Sequence, residues 1–408
     1  MGRRIRYAIE TVLVNALVLS TLYQFAVYLA NRRFWRQTPP PPAENAPSTT
    51  VIVPLRDKTL DTLALLHVMA ITRPTDRYEL LMVLESESDP AYPVAREVAD
   101  SYPDIARVLI SGPPAGRVPR LHRINAGWQA AQGDLIAIVE PEAQLTAELW
   151  NAALAALADP AVDAAFAPPL VLQPERRSNL PVATGGEMLM ALHINHGRTA
   201  TVPVAAASQR VEGLADGFMI LRRRVLEEAG GLLHLLDDAS AGQALGRVLR
   251  ENGQRVAVIP APVWLVPSRT SISEATEQIL DMLTISRAYH LRATLAWPFT
   301  NPLTVGFALG LITEREGRWW GRQTWYAFAW LRLVLAYQLD RLRFGRAFHP
   351  GAYAQLLMLD TFIAPLLWAR ALVRRTITCE GRTFRILPGG KTRPANASAA
   401  GWSPDETR

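Results

Sequence analysis

The chain of 408 residues carries 43 Lys and Arg against 37 Asp and Glu, giving a formal net charge of +6 and a pI of about 9.7. This length accommodates one large domain with additional elements, or two domains. This excess of basic residues is typical of proteins that bind nucleic acid, an anionic membrane surface or phosphate-bearing substrates. The chain has no recognition motif for DNA or RNA, which argues against a nucleic-acid partner. A single cysteine, Cys379, excludes an internal disulfide and a cysteine-based zinc site.

The first predicted element is a membrane anchor. Residues 11–30 are twenty residues without a charge, and as a helix they would be about 30 Å long, which is the thickness of a bilayer core. An arginine-rich segment follows in place of the small-residue cleavage site of a signal peptide. Three arginines lie on each side of the apolar stretch, so the positive-inside rule gives no orientation. A stiff, polar, proline-rich linker comes next.

An alternation of strands and helices follows the linker and predicts an α/β fold. No Gly-x-Gly-x-x-Gly follows the first strand and no Walker A pattern is present, which disfavours dinucleotide dehydrogenases and P-loop enzymes. The predicted strands are 51–55, 79–84, 106–110, 135–139, 162–166, 217–221 and 255–259, and the predicted helices are 60–69, 91–101, 121–131, 147–158, 224–229 and 239–251.

Two carboxylates follow the most apolar of these strands. Residues 135–139 (Leu-Ile-Ala-Ile-Val) read as a central strand covered on both faces. Glu140 and Glu142 come directly after it, about 7 Å apart by strand rise, where α/β sheets bind their ligands. Such a pair is able to hold a divalent cation, Mg²⁺ or Mn²⁺, that carries phosphates. The alternative is a polar turn after a strand.

The composition changes again near residue 293. Residues 294–313 are apolar but contain Pro298 and Pro302, which indicates a kinked span, a re-entrant hairpin or an interfacial helix. Residues 352–373 are a better span, in which Asp360 must face protein or water. Arg332 is costly at the centre of a bilayer, so residues 324–339 are expected in the membrane interface.

His193 and His196 are spaced to ligate a metal on one helix face. No third ligand is evident, and a surface helix or loop is the favoured interpretation of this pair. The predicted organisation is an anchor over 1–36, a linker over 37–50, an α/β domain over 51–292, membrane or interfacial helices over 293–373 and a basic to polar, loosely ordered tail over 374–408.

Three segments carry a resemblance to a known family. They are Gly-Arg-Val-Pro-Arg-Leu at 116–121, Asp-Gly-Phe-Met-Ile-Leu-Arg-Arg-Arg-Val-Leu at 216–226, and Gly-Gly-Leu at 230–232 followed by Asp237 and Asp238. Together they resemble ceramide glucosyltransferase-like membrane glycosyltransferases, a family with bacterial hopanoid-pathway relatives. The resemblance implies the GT-A fold, a Rossmann-like nucleotide-sugar-binding sheet. It also implies inverting transfer of a hexose from a nucleotide diphosphate sugar to a lipid hydroxyl.

The resemblance assigns roles to acidic residues of this chain. Asp238 matches the catalytic base of the family, which takes the proton of the acceptor hydroxyl. The competing role is a helix N-cap, which we assign to Asp237. Glu140 and Glu142 match the metal-binding aspartate motif, with glutamate in place of aspartate.

The resemblance also implies binding residues for the donor. Arg120 replaces the lysine of the family loop and would neutralise the diphosphate. Glu85 and Glu87 lie near the first acidic position of the family and would contact the nucleoside. The Gln-x-x-Arg-Trp signature has two registers, one beginning at Gln278 and one placing Arg287 at the arginine, and both lose the tryptophan. We prefer the register with Arg287.

We therefore expect a membrane-bound inverting glycosyltransferase whose partners are a nucleotide sugar, a membrane lipid and the membrane itself. The expected location is a bacterial inner or plasma membrane, with the catalytic domain in the cytosol. One alternative is a catalytically degenerate relative that acts as a binding or partner subunit. The other alternative is a polyprenyl-phosphate or polysaccharide glycosyltransferase.

Overall fold

The computed structural model of the chain describes residues 3–38, 46–59, 61–172, 185–209, 211–315 and 317–395. Residues 39–45 of the predicted linker and 396–408 of the predicted tail lie outside these ranges. The chain forms two compact units that interleave along the sequence, unlike the predicted linear order of segments. The helical unit comprises Met1–Arg36, Gln173–Ala207 and Arg269–Arg374, and the sheet unit comprises Gln37–Leu172, Ser208–Ser268 and Arg375–Arg408.

Element labels run along the whole chain. The strands are β1 (Thr49–Pro54), β2 (Tyr78–Leu84), β3 (Ala106–Ile110), β4 (Leu135–Val139), β5 (Ala143–Gln144), β6 (Ala164–Phe166), β7 (Pro169–Val171), β8 (Phe218–Arg222), β9 (Val256–Val258), β10 (Val263–Leu265), β11 (Thr376–Cys379), β12 (Arg382–Ile386) and β13 (Thr392–Pro394). The helices are α1 (Arg3–Phe34), α2 (Thr62–Ile71), α3 (Tyr92–Ser101), α4 (Pro119–Ala130), α5 (Ala147–Ala158), α6 (Gly185–Leu192), α7 (Val202–Ala207), α8 (Arg223–Glu228), α9 (Ala241–Glu251), α10 (Ile272–Tyr289), α11 (Leu291–Ala296), α12 (Pro302–Glu314), α13 (Trp320–Phe344), α14 (Pro350–Met358) and α15 (Ala364–Val373). Short 3₁₀ or π-helical turns are His193–Arg198, Thr199–Thr201, Leu233–Leu235, Trp297–Thr300, Leu359–Ile363 and Pro388–Gly390.

The main sheet of the sheet unit joins, among the described residues, seven strands in the order β3-β2-β1-β4-β8-β6-β9. The first four of these strands, β3, β2, β1 and β4, are parallel to one another, and β8 is antiparallel to both β4 and β6. The predicted mainly parallel, Rossmann-like α/β fold is confirmed. Each predicted element of this alternation is present, with ends within two residues of those predicted from the sequence.

The packing of β4 and α4 prepares the edge of the sheet at which the candidate site lies. All five residues of β4 are buried, as expected for an apolar strand between two others. Gly127 lets α4 lie directly on β1, because a Cβ at this position would be 2.5 Å from Ile52 Cγ2. Since α4 returns from the end of β3 across the sheet, its N-terminal turn lies at the carboxyl edge of the parallel strands.

The described residues of the C-terminal segment form a separate antiparallel sheet of β11, β12 and β13. Its hairpin turns at Glu380 and Gly381, both with positive φ, as a tight two-residue turn requires. Ile377, Phe384 and Ile386 bury one face. The prediction of a loosely ordered tail is therefore wrong for residues 376–394, because alternating apolar residues give this segment a face to bury.

The helical unit contains helices long and apolar enough to cross a membrane. Among the described residues these are Ile5–Phe34 and Pro350–Val373, and a third candidate is a pair bent by 58°, Leu291–Thr300 with Pro302–Glu314. The anchor, the later span and the kink near Pro302 were all predicted. Arg332 Nε lies 2.7 Å from Asp360 Oδ2, so Asp360 faces protein as expected, and each of these charges neutralises the other.

The histidine pair is placed differently from its prediction. His193 and His196 lie in a π-helical turn and both are buried, so the prediction of a surface helix or loop is wrong. His196 Nε2 is 3.1 Å from Asp340 Oδ1, an acidic partner more than a hundred residues away that local sequence does not reveal. The described residues contain no group of three or more His, Cys, Asp or Glu side chains suited to a metal ion.

Candidate functional site

A charged cluster lies at the carboxyl edge of the main sheet. Glu140 follows β4, and Asp216 lies two residues before β8, which is antiparallel to β4. The Glu140 amide donates to the Gly217 carbonyl at 3.0 Å, which holds these two segments together. Gly217 has φ of 120°, a conformation that favours glycine.

Arg120 joins the two carboxylates of this cluster. Its guanidinium makes a short hydrogen-bonded ion pair with Glu140 and lies 3.4 Å from Asp216 Oδ1. Arg120 and Glu140 each keep about a fifth of their side-chain surface exposed, 21%. A cation shared by two carboxylates at an accessible sheet edge is available to an anionic ligand that competes for it.

The two glutamates are destabilised as anions. Partial burial raises the pKa of Glu140 to about 7, with Asp216 and Glu142 contributing and Arg120 acting in the opposite direction. Burial also raises the pKa of Glu142. A divalent cation would relieve this cost, and Mg²⁺ commonly binds through one or two carboxylates together with substrate phosphates. Glu140 and Glu142 therefore fit a cation that arrives with a diphosphate, and they do not form a complete metal cage.

Asp238 lies in a different environment. Its side chain is 0% exposed and accepts from Arg247 Nη2 at 2.9 Å and from Lys391 Nζ at 2.7 Å. The cap of α9 is Ser240, whose Oγ accepts from the Gln243 amide, so the prediction that Asp237 caps this helix is wrong. Ser240 directly precedes the helix, two residues after Asp238, and its backbone is extended as a cap requires.

Two of the segments that carry the family resemblance are adjacent in space. The amide of Val118, two residues before Arg120, donates to the Leu236 carbonyl at 3.0 Å. Leu236 lies two residues before Asp238. The loop that begins α4 and the turn that carries the acidic pair are therefore hydrogen-bonded to each other.

The C-terminal sheet supplies ionic partners that sequence reasoning missed. Lys391 of this sheet contacts Asp238, as described above. Arg382 lies 2.6 Å from Glu85, and Glu380 pairs with the buried Arg123. Arg123 lies three residues after Arg120 on α4, on the same helix face. The only sequence signal was the run of basic residues after position 374, which indicates charge and not its partners.

The remaining predicted residues are placed as follows. Glu87 is exposed after β2. Gln278 is exposed on α10 in the helical unit. Arg287 Nη1 donates to the carbonyls of Ala371 and Leu372 at 2.7 and 2.6 Å, at the C-terminal end of α15, where a cation is favoured. The roles of these three residues toward a sugar donor stay predictions.

Known proteins resemble this chain over most of its length. A model of glycosyl transferase family 21 matches residues 12–392. The ceramide glucosyltransferase of Gibberella zeae is 28% identical over 123 residues, covering 26% of this chain and 23% of that protein. Ceramide glucosyltransferase 1 of Caenorhabditis elegans is 18% identical over 333 residues, covering 79% of this chain and 68% of that protein. The chain thus spans less than a quarter of the length of the Gibberella relative.

Solved structures align with most of the chain at low sequence identity. A mannosyltransferase of Pyrobaculum calidifontis, solved with GDP-Man and Mn²⁺, is 19% identical with a TM-score of 0.49 and covers 89% of this chain and 96% of that one. A TarS fragment from S. aureus, solved with UDP-GlcNAc, is 13% identical with a TM-score of 0.37 and covers 85% of this chain and 99% of that one. The family resemblance predicted from the sequence is confirmed by the family match.

Proposed function

Because the chain belongs to glycosyl transferase family 21, we propose that it is a membrane-bound inverting enzyme that moves a hexose from a nucleotide diphosphate sugar to the hydroxyl of a membrane lipid. The Gibberella and Caenorhabditis relatives described above are named as ceramide glucosyltransferases, which supports a lipid acceptor. The helices long enough to span a bilayer support a membrane location. We place the catalytic sheet unit on the cytosolic face of a bacterial membrane, where nucleotide sugars are made.

The observation that carries this proposal is the cluster of Arg120, Glu140 and Asp216 at the carboxyl edge of the sheet. Ligands of open α/β sheets bind beyond this edge. A nucleotide diphosphate brings negative charge that Arg120 is placed to neutralise, with its fork-shaped donors facing two oxygens at once. Glu140 and Glu142 would hold a divalent cation, which when bound supplies further positive charge to the diphosphate.

In the proposed step, the oxygen of the lipid hydroxyl forms a bond to the anomeric carbon from the face opposite the diphosphate. The bond from that carbon to the diphosphate oxygen breaks, and the leaving group keeps the electron pair. Arg120 stabilises the charge that develops on it. Asp238 takes the proton of the hydroxyl. Since Lys391 and Arg247 cover this carboxylate, at least Lys391 must leave Asp238 Oδ2 before the proton is transferred.

The burial of Asp238 also favours a second candidate function. A carboxylate that stays fully buried between two cations is a structural anchor and accepts no proton. The chain would then be a relative that binds a nucleotide sugar at the Arg120 cluster without transferring it, and would act as a partner subunit. The two functions differ in whether removing the charge of Asp238 affects turnover or only stability.

The deciding experiment is a transfer assay of the full chain in membranes with a panel of nucleotide sugars and a membrane lipid extract. The variant Asp238→Asn should lose turnover while nucleotide-sugar binding stays measurable, because the amide accepts no proton. Asp237→Asn is the matched control, since it changes the neighbouring carboxylate outside this ion-pair cluster. Unchanged turnover in Asp238→Asn would remove this residue from the role of base. No transfer by the native chain, with donor binding intact, would favour the partner subunit.

A further inference from the structure

A cavity of about 500 Å³ lies within the helical unit. Its volume is in the range of 300–1,000 Å³ that is usual for small-molecule sites. Its walls come from α1, the π-helical turn His193–Arg198, α10, the segment from α11 to α12, and the α14–α15 region. These elements are far apart in the sequence, and no sequence motif predicted the cavity.

Most of the wall is apolar and aromatic. Trp297 and Trp368 form a stacked pair with ring centroids 6.4 Å apart. Val27 of α1 and Leu192 and Met282 add aliphatic and thioether surface. Such a wall favours a ligand with a hydrophobic body.

Three buried side chains of the wall, His193, His196 and Thr294, carry polar atoms without a hydrogen-bond partner among the described residues. His196 also lies 3.1 Å from Asp340, so the other two are the ones considered for a ligand. His193 and Thr294 both line the cavity and are more than nine-tenths buried, with 8% and 6% of their surface exposed. Neither His193 Nε2 nor Thr294 Oγ1 has a hydrogen-bond partner among the described residues. Burial, with a smaller contribution from Arg198, lowers the pKa of His193 to about 3, so its ring is neutral. Buried polar atoms without partners are costly, and a bound polar group would satisfy both.

The charges of the cavity indicate that this polar group is neutral. Arg332 and Asp360 both line the wall and pair with each other at 2.7 Å, so each of these charges is already compensated. The third ionic residue of the wall, Arg198, is exposed. A phosphate-bearing headgroup would therefore find no buried unpaired cation, whereas a hydroxyl or amide group would find a neutral imidazole nitrogen and a threonine hydroxyl.

We propose that this cavity binds the acceptor lipid of the transfer as a neutral amphiphile. The hydrophobic body lies against the Trp297–Trp368 pair, and a hydroxyl or amide group hydrogen-bonds to His193 Nε2 and Thr294 Oγ1. This inference rests on the proposed function, because it names the chemistry and the binding place of the acceptor.

A matched pair of threonine variants tests the hydrogen bond. Thr294→Val and Thr361→Val each remove a buried hydroxyl that lacks a partner among the described residues, but only Thr294 lines the cavity. In full-length protein in nanodiscs, with ceramide as acceptor, Thr294→Val should raise the KM for the lipid roughly three- to tenfold. The KM for the sugar donor should stay as in the native protein for both variants, and Thr361→Val should also keep the native KM for the lipid. The melting temperature should not fall in either variant, because each one removes a buried hydroxyl that has no partner among the described residues. Equal lipid KM values for the two variants would overturn the inference.

A labelling experiment that needs no turnover separates failure of this inference from failure of the proposed function. The probe is a ceramide with a diazirine in its acyl chain, in phosphatidylcholine nanodiscs. Labelled peptides should come from the cavity walls, excess unlabelled ceramide should abolish the labelling, and excess phosphatidylglycerol should not. Ala200→Phe, which places a ring at a lining position, should reduce labelling if the fold is kept by circular dichroism.

The two readouts have distinct outcomes. Cavity labelling without transfer by the native chain would support the binding site and remove the enzymatic function. Transfer with labelling spread evenly over the lipid-facing helices, unaffected by Ala200→Phe or Thr294→Val, would leave the enzymatic function and overturn the cavity as its lipid site.

Discussion

Glu140 and Asp238 are both carboxylates of the sheet unit that pair with cations, but their environments differ. Glu140 shares one arginine with Asp216 and keeps 21% of its side chain exposed, whereas Asp238 is closed off by two cations and has no exposed surface. Partial burial raises the pKa of Glu140 to about 7, so its charge is held at a cost. An ion pair alone therefore does not mark a ligand site, and accessibility distinguishes the two clusters.

The two clusters also differ in how far apart in the sequence their charged residues lie. The Arg120 cluster is built from segments within about a hundred residues of one another, on elements of the main sheet. Asp238 depends on Lys391, which is 153 residues away and lies on the C-terminal sheet. The C-terminal sheet therefore covers the turn that carries Asp237 and Asp238. Backbone hydrogen bonds hold the two together, for example from the Thr392 amide to the Asp237 carbonyl at 2.6 Å.

The largest effect is expected from Arg120→Ala. Loss of the guanidinium removes the cation that we propose neutralises the diphosphate, and removing one preorganised donor of developing charge typically costs a factor of about 10²–10³ in rate. Transfer per folded protein should fall to this extent in steady-state assays. The melting temperature should also fall, because Glu140 and Asp216 lose the cation between them. Arg120→Lys should recover part of the activity, since it restores the charge without the fork.

Arg117→Ala is the matched control for this variant, because it removes another arginine of the same loop. It should retain native transfer. If Arg117→Ala and Arg120→Ala were equally active, the accessible cluster would have no role in donor binding, and the contrast between Glu140 and Asp238 would lose its functional meaning.

Sequence separation decides which features of this chain were predictable from its sequence. The seven strands of the main sheet and helices α2 to α5, α8 and α9 were predictable, because apolar periodicity and turn residues act locally. Arg120 was assigned through the family resemblance, whereas the position of Glu140 at the carboxyl edge followed from the topology of parallel strands. The pairing of Asp238 with Lys391, of Arg332 with Asp360 and of His196 with Asp340 did not, because each joins residues that only the tertiary fold brings together.

A smaller, structural effect is expected from Lys391→Ala. The substitution removes one of the two cations, Lys391 and Arg247, that contact this fully buried carboxylate among the described residues, and loss of a buried charge-assisted hydrogen bond costs about 1–3 kcal/mol. The free energy of unfolding of the full chain in detergent should fall by this amount in a denaturant titration. Arg393→Ala, at an exposed position two residues further on the same sheet, should cost less than about 0.5 kcal/mol.

Transfer activity in Lys391→Ala sharpens the interpretation of Asp238. Higher turnover at unchanged donor binding would mean that Lys391 restrains a catalytic base. Turnover reduced only in proportion to the loss of folded protein would mean that Asp238 anchors the C-terminal sheet and takes no proton.

The smallest effect on stability is expected at an exposed ion pair of the helical unit. It serves as the reference against which the stability effects of the Glu140 and Asp238 clusters are compared. Glu277 lies 2.6 Å from Arg374 with half of its side chain exposed, and surface pairs of this kind contribute about 0–1 kcal/mol. Hydrogen bonding to Arg374, opposed by slight desolvation, lowers the pKa of Glu277. A lowered pKa in the folded state means that the stabilisation is present above the unfolded value of about 4.3 and is lost as the pH falls through the folded pKa. Glu277→Gln should therefore lower the melting temperature slightly at pH 7 and not at pH 3, and a difference that persists at pH 3 would show that packing, and not charge, is what this pair contributes.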